Sequence, residues 1–204
     1  REFLVPPKSN NNALPLKSEV PILVVGEHGH NSGLQSGGWS IHWQGQAESY
    51  KGAKTIFEGI LAQNPNAEYA VNGCYPSMKA NKAVVVVAEQ PYAEGAGDSD
   101  DLYLSQAHKT LIDSCKALGK QVVVVLISGR VLLINEELTK SDAFVAAWLP
   151  GSEGAGVADF LFATNGFKPV GKSPYSWPMK YSDIPLAADA AHALFKFGFG
   201  LQNY

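Results

Sequence analysis

The sequence predicts an α/β fold: a three-layer α/β/α sandwich with a mostly parallel sheet, flavodoxin-like and doubly wound. Three observations carry this. Four short apolar runs, at residues 21–26, 82–88, 121–128 and 143–149, lack the polar alternation of a half-exposed strand and suit strands buried on both faces. Two intervening stretches have helical spacing instead, with Ile56, Ile60 and Leu61 on one face and Leu111, Ile112, Cys115 and Leu118 on another. Strands alternating with helices imply right-handed crossovers and helices on both faces of a parallel sheet.

Taken in order, residues 1–20 mix Pro6, Pro7 and Pro15 with the polar run Ser9 to Asn12, and read as an extended leading arm or linker. Residues 21–166 hold the sandwich, and residues 167–204 a C-terminal wrapping arm of the same domain, rich in aromatics and poor in chemistry. The whole chain is 204 residues, a length that suits one large domain. Hydrophobic residues make up 46% and charged residues 17%, enough apolar side chain for a buried core. A net charge of -3 supplies no broad positive field for nucleic acid or an anionic membrane surface, so neither is expected as a partner. The longest apolar runs fall far short of the roughly 20 residues that cross a bilayer. Cys74 and Cys115 show no metal-ligand spacing and read as two ordinary thiols, small buried hydrophobes. Without a methionine or signal sequence at Arg1, any export signal would lie upstream or have been removed.

In such a sheet ligands gather beyond the carboxyl ends of the strands, which points to four loops. The first runs from Gly26 through Gly45. Its glycines invite a nucleotide, but it has no Gly-Lys-Ser/Thr and does not match the dinucleotide spacing. His28, His30 and His42 have no carboxylate or thiolate at ligand spacing, so no metal is expected, and no cofactor is called for anywhere in the chain. Trp43 has two open readings, a sugar-stacking face and a core anchor, while Trp39 leans towards packing. The second loop, Glu89 to Asp98, brings Glu94, either a solvated acidic turn or a proton donor whose pKa a partly apolar pocket would raise. In the third, Arg130 follows Ser128-Gly129 and is expected to pair with a neighbouring acid. In the fourth, Ser152 and Glu153 are expected to cap a helix continuing through Phe162.

These motifs, in their order, resemble the second, α/β sandwich domain of family 3 glycoside hydrolases of the exo-β-glucanase and β-glucosidase type. The resemblance rests on Gly37-Gly38-Trp39 with Trp43-Gln44-Gly45, Pro91-Tyr92-Ala93-Glu94-Gly95, Ser128-Gly129-Arg130, Trp148-Leu149-Pro150-Gly151-Ser152-Glu153-Gly154 and Phe197-Gly198-Phe199-Gly200-Leu201. It implies that Glu94 is the general acid/base and that Trp43, but not Trp39, binds substrate, a β-glucan or β-glucoside. It implies retention, which needs a second carboxylate about 5 to 5.5 Å away as nucleophile. That aspartate belongs to an N-terminal β/α barrel domain, itself of around 250 residues, so these residues alone are expected to be inactive. A periplasmic or secreted location is implied too. Departures from the family pattern at Pro6-Pro7, Ser173-Pro174-Tyr175 and Lys196 bear on the inter-domain contacts and fit an isolated or re-engineered domain; the competing class is a non-catalytic module, glycan-binding or a separated scaffold.

Overall fold

Every valine of Lys82–Ala88 (β4) and of Gln121–Ile127 (β5) is fully buried in the computed structural model, which describes residues 1–204. These strands form the middle of a six-stranded sheet with Val5–Ser9 (β1), Ile22–Val25 (β2), Glu68–Ala70 (β3) and Ala143–Trp148 (β6). The order across the sheet is β1-β6-β5-β4-β2-β3, with every pairing parallel except β1 on β6. Leaving that edge strand aside, the parallel strands run second, first, third, fourth, fifth, which is the flavodoxin-like winding. The direction of winding reverses between β2 and β4, so the crevice of this fold opens at their carboxyl ends.

Alternate residues of the central strands feed two cores. Val84, Val86, Val123 and Val125 pack with Ile56, Ile60, Val157 and Phe160, which lie on Ile56–Gln63 (α2) and Gly154–Leu161 (α5). Val85, Val87, Val122 and Val124 pack on the other face with Ile112 and Cys115 of Gln106–Ala117 (α3). Ser32–Ser36 (α1) and Asn135–Lys140 (α4) complete the helices. Thr55 begins α2 with a reciprocal capping box: its hydroxyl accepts from the Glu58 amide at 3.2 Å, and the Glu58 carboxylate accepts from the Thr55 amide at 2.8 Å.

Four features depart from the sequence reading. The leading arm supplies β1, whose register on β6 shifts between Val5 and Lys8, around Pro6 and Pro7. An edge strand tolerates prolines that a central one would exclude. Cys74 and Cys115 are not free thiols: they form a disulfide across a separation of 41 residues, because the turn after β3 folds back on α3, where the Cys74 amide donates to Ser114 Oγ at 3.0 Å. Neither Ser152 nor Glu153 caps α5 with its side chain. The Lys54 carbonyl takes the Gly154 amide at 2.9 Å, filling the acceptor role a cap would have had, and Ser152 Oγ donates instead to Glu153 at 3.0 Å. Finally, the C-terminal arm enters the core: Trp177 is 1% exposed, and its indole donates to the Leu132 carbonyl at 2.6 Å.

Candidate active site

The loops following β2 and β4, the two strands flanking the winding reversal, carry Trp43 and Glu94. The β2 loop passes through a 3₁₀ turn at Glu27–His30, then α1, then an irregular stretch that holds both tryptophans. Trp39 and Trp43 are joined by a hydrogen bond from the Trp39 amide to the Trp43 carbonyl at 2.9 Å, with ring centroids 6.2 Å apart and planes inclined at 55°. Trp43 is 54% exposed and Trp39 68%, so neither is a core anchor. The packing role expected for Trp39 is thereby corrected. Its backbone sits at φ 56, a left-handed conformation uncommon for a bulky residue.

Glu94 opens a 3₁₀ turn, Glu94–Gly97, at φ 51, and its side chain stands in solvent. The chain on either side of it is held. Before it, Ala93 is extended and buried, and its amide donates to Gln44 Oε1 at 2.8 Å. After it, the Gly97 carbonyl accepts from Arg130 Nη1 at 2.7 Å. Arg130 pairs as expected with an acid, its Nε donating to Glu89 at 2.8 Å, while its guanidinium lies over the Tyr92 ring at 4.4 Å. The Tyr92 hydroxyl donates to the other Glu89 oxygen at 3.2 Å. Burial, and next the Glu89 charge, raise that phenol above its ordinary pKa, so it remains a donor.

The two loops interlock closely enough to require glycine at the seam. A Cβ on Gly38 would fall 2.1 Å from the Tyr92 carbonyl oxygen, and one on Gly45 2.5 Å from Pro91. The 360 Å³ pocket beside this seam is lined by Glu89, Tyr92, Tyr103, Ser105 and His108. It lies behind the turn, and Glu94 stands outside it. The three loop histidines go to separate partners: His30 Nδ1 meets Thr55 Oγ at 2.9 Å, and His42 meets Glu48 at 2.8 Å. His28 is buried, neither of its ring nitrogens has a hydrogen-bond partner, and it packs edge-on against His108 at 5.5 Å. Burial, and next the neighbouring His108, push its pKa down to about 4.

The profile described as the glycosyl hydrolase family 3 C-terminal domain matches residues 8–203. The chain belongs to this family. Among family 3 structures, the exo-1,3/1,4-β-glucanase of a Pseudoalteromonas species is 39% identical, with a TM-score of 0.89, over 97% of this chain and 27% of that one. The lysosomal β-glucosidase of Dictyostelium discoideum is 28% identical over 96% of this chain and 27% of its own length. The periplasmic β-glucosidase of Salmonella typhimurium is 29% identical over 91% of this chain and 28% of its own. These residues thus span under a third of each of these three proteins. Two members of the site had no signal in the bare sequence. Gln44 acts across 49 positions, and Glu89 shows its purpose only once Arg130 is folded against it.

Proposed function

We propose that this domain supplies the acid/base half of a retaining β-glucosidase or exo-β-glucanase site. Glu94 protonates the departing glycosidic oxygen and later deprotonates the incoming water. Trp43 offers its indole face to the sugar beyond the scissile bond. The nucleophilic aspartate comes from an N-terminal β/α barrel, so these residues alone do not turn over a glycoside.

The observation that carries this reading is the way Glu94 is presented. An ordinary solvated turn would put a glycine or asparagine at the left-handed position. Here the neighbouring Gly95 has open space around it, yet Glu94 takes the left-handed backbone, with a held residue on either side. A non-glycine residue there costs on the order of 1–3 kcal/mol, a cost that clusters at functional sites. Two exposed indoles beside it form an apolar face suited to the C–H face of a sugar. A face so open on this chain suits a site that a second surface closes. That closure would strip water from around Glu94 and enclose it with the leaving oxygen it protonates.

The same indole pair also favours a second reading, a glycan-binding module without catalysis. One comparison separates the two. Joined to a family 3 barrel, in cis or in trans, the native chain cleaves an aryl β-glucoside and the Glu94→Gln chain does not; cleavage by both would sink the acid/base role. The disulfide supports a periplasmic or secreted location, since such bonds persist in oxidising compartments. Mass spectrometry after alkylation of protein taken from its native compartment checks this: two alkylated cysteines would count against it.

A further inference from the structure

Resting on the acid/base reading of Glu94, we infer that Gln44 is a positioning residue for that carboxyl group. It couples the loop that stacks the sugar to the loop that delivers the proton. Gln44 directly follows Trp43, and Ala93 directly precedes Glu94; the 2.8 Å bond between Gln44 Oε1 and the Ala93 amide joins the two residue pairs. An amide N–H can meet only the oxygen of the glutamine side chain, so the orientation of the carboxamide follows from the contact.

Ala93 is 4% exposed, and a buried backbone donor left without an acceptor is costly. Gln44 is therefore what allows the backbone to run extended through Ala93, at φ -140 and ψ 146, and then turn left-handed at Glu94. Remove the acceptor, and the Ala93 amide loses its one hydrogen-bond hold, leaving only packing through Tyr92 and Ala93 to oppose relaxation of the turn. Arg130 holds the far end through Gly97, so between the anchors only Glu94, Gly95 and Ala96 remain to move. A shift of the carboxyl group by about 1 Å is enough to cost roughly a hundredfold in rate.

The inference is tested first in this chain by amide hydrogen exchange. Gln44→Leu exposes the Ala93 amide, which exchanges about tenfold faster than in the native chain, while Gln44→Glu keeps an acceptor and the protection. Unchanged exchange in Gln44→Leu overturns the proposal. Kinetics follow in the chain joined to a barrel, with two substrates. Phenyl β-glucoside needs its leaving oxygen protonated; 2,4-dinitrophenyl β-glucoside does not. Gln44→Leu loses roughly tenfold to a hundredfold in kcat/KM on the phenyl substrate and less than about threefold on the other. Equal losses on both, while Glu94→Gln remains selective for the phenyl substrate, overturn the role of Gln44 alone. A Glu94→Gln variant without that selectivity overturns the acid/base reading and this proposal with it. If Gln44→Leu does not fold, Gln44→Glu decides. It keeps an acceptor for the Ala93 amide, so kcat/KM on the phenyl substrate stays within about threefold of native, and a loss of tenfold or more with Ala93 protection intact overturns the proposal.

Discussion

The two ends of the sheet are built on opposite principles. At the amino ends of the strands, polar groups are matched to partners. The Asp142 carboxylate accepts from the Val122 amide, Asn11 and Lys116 at 2.8–3.1 Å, and Lys82 donates to the Ala13 carbonyl at 2.8 Å. Where the backbone there turns left-handed, the residues are mostly asparagines that tolerate it, Asn11, Asn12 and Asn165, with Ala163 the exception. At the carboxyl ends the left-handed residues are Trp39, Glu94 and Trp148, which do not tolerate it, and His28 lies buried with no partner for either nitrogen. Groups held at a cost gather at the carboxyl end. The difference teaches where to look for function: where local preference is overruled, some other requirement set the residue.

The largest test of this contrast is Glu94→Gln. In the barrel-joined protein it should lower kcat/KM on phenyl β-glucoside by about 10² to 10⁴-fold, while urea unfolding of the chain stays within about 0.5 kcal/mol of native. A large loss of stability would mean the carboxyl end is structural after all. Next in size is the disulfide that ties α3 to the turn after β3. Reducing it, or Cys115→Ser, should lower the unfolding free energy by about 4 kcal/mol for its 41-residue separation, read from urea midpoints with and without reductant.

His28 gives the two ends different responses to acid. Unfolded, a histidine takes up its proton near pH 6.5, but folded His28 does so only near 4. Between those values the unfolded chain binds more protons, so stability falls as pH drops from about 6.5 to about 4. His28→Leu should flatten that slope in unfolding measured across the window; an unchanged slope would assign the titration elsewhere. Asp142 is the counterpart at the amino end. Burial alone would raise its pKa, but the Val122 amide, Asn11 and Lys116 together hold it below the ordinary carboxylate value. Its contribution is present above the unfolded pKa and is lost as pH falls through the folded one, so Asp142→Asn should cost about 1–3 kcal/mol near neutral pH and lose its effect in strong acid. Glu94→Gly completes the comparison with the smallest effect. It should shift stability by under about 1 kcal/mol, in the stabilising direction, because relief of the left-handed backbone outweighs the added freedom of the unfolded glycine.

The central strands were legible because a run such as Lys82–Ala88 buries both faces and so contains no polar alternation. The long helices announced themselves by period, whereas the capping box that starts α2 was not read from the sequence. What stayed hidden depends on partners distant in sequence. β1 looked like a linker because Pro6 and Pro7 argue against a strand until its place at the edge is known. The pairing of Cys74 with Cys115 needs the fold of the turn between β3 and β4. At the site, loop position pointed to Glu94 and Trp43, but a solvated acid and a proton donor look alike in sequence, and only the family resemblance favours the second reading. Exposure of Trp39 was illegible for the same reason that Gln44 was: both follow from how one loop leans on another.

The burial of Trp177 has a consequence for how the chain comes into being. The sheet face formed by Phe144 and Leu126 is closed by a side chain 29 residues beyond the last residue of β6, with Leu194 and Phe195 laid against it later still. Tyr204 then hooks its hydroxyl onto the Phe160 carbonyl at 2.6 Å. During synthesis, at roughly 5–20 residues per second, every strand is made before the arm that completes the cover of that face. The nascent domain therefore carries an uncovered apolar surface until the arm arrives, and a ribosome that stalls after β6 leaves behind a sheet ready to stick to its neighbours.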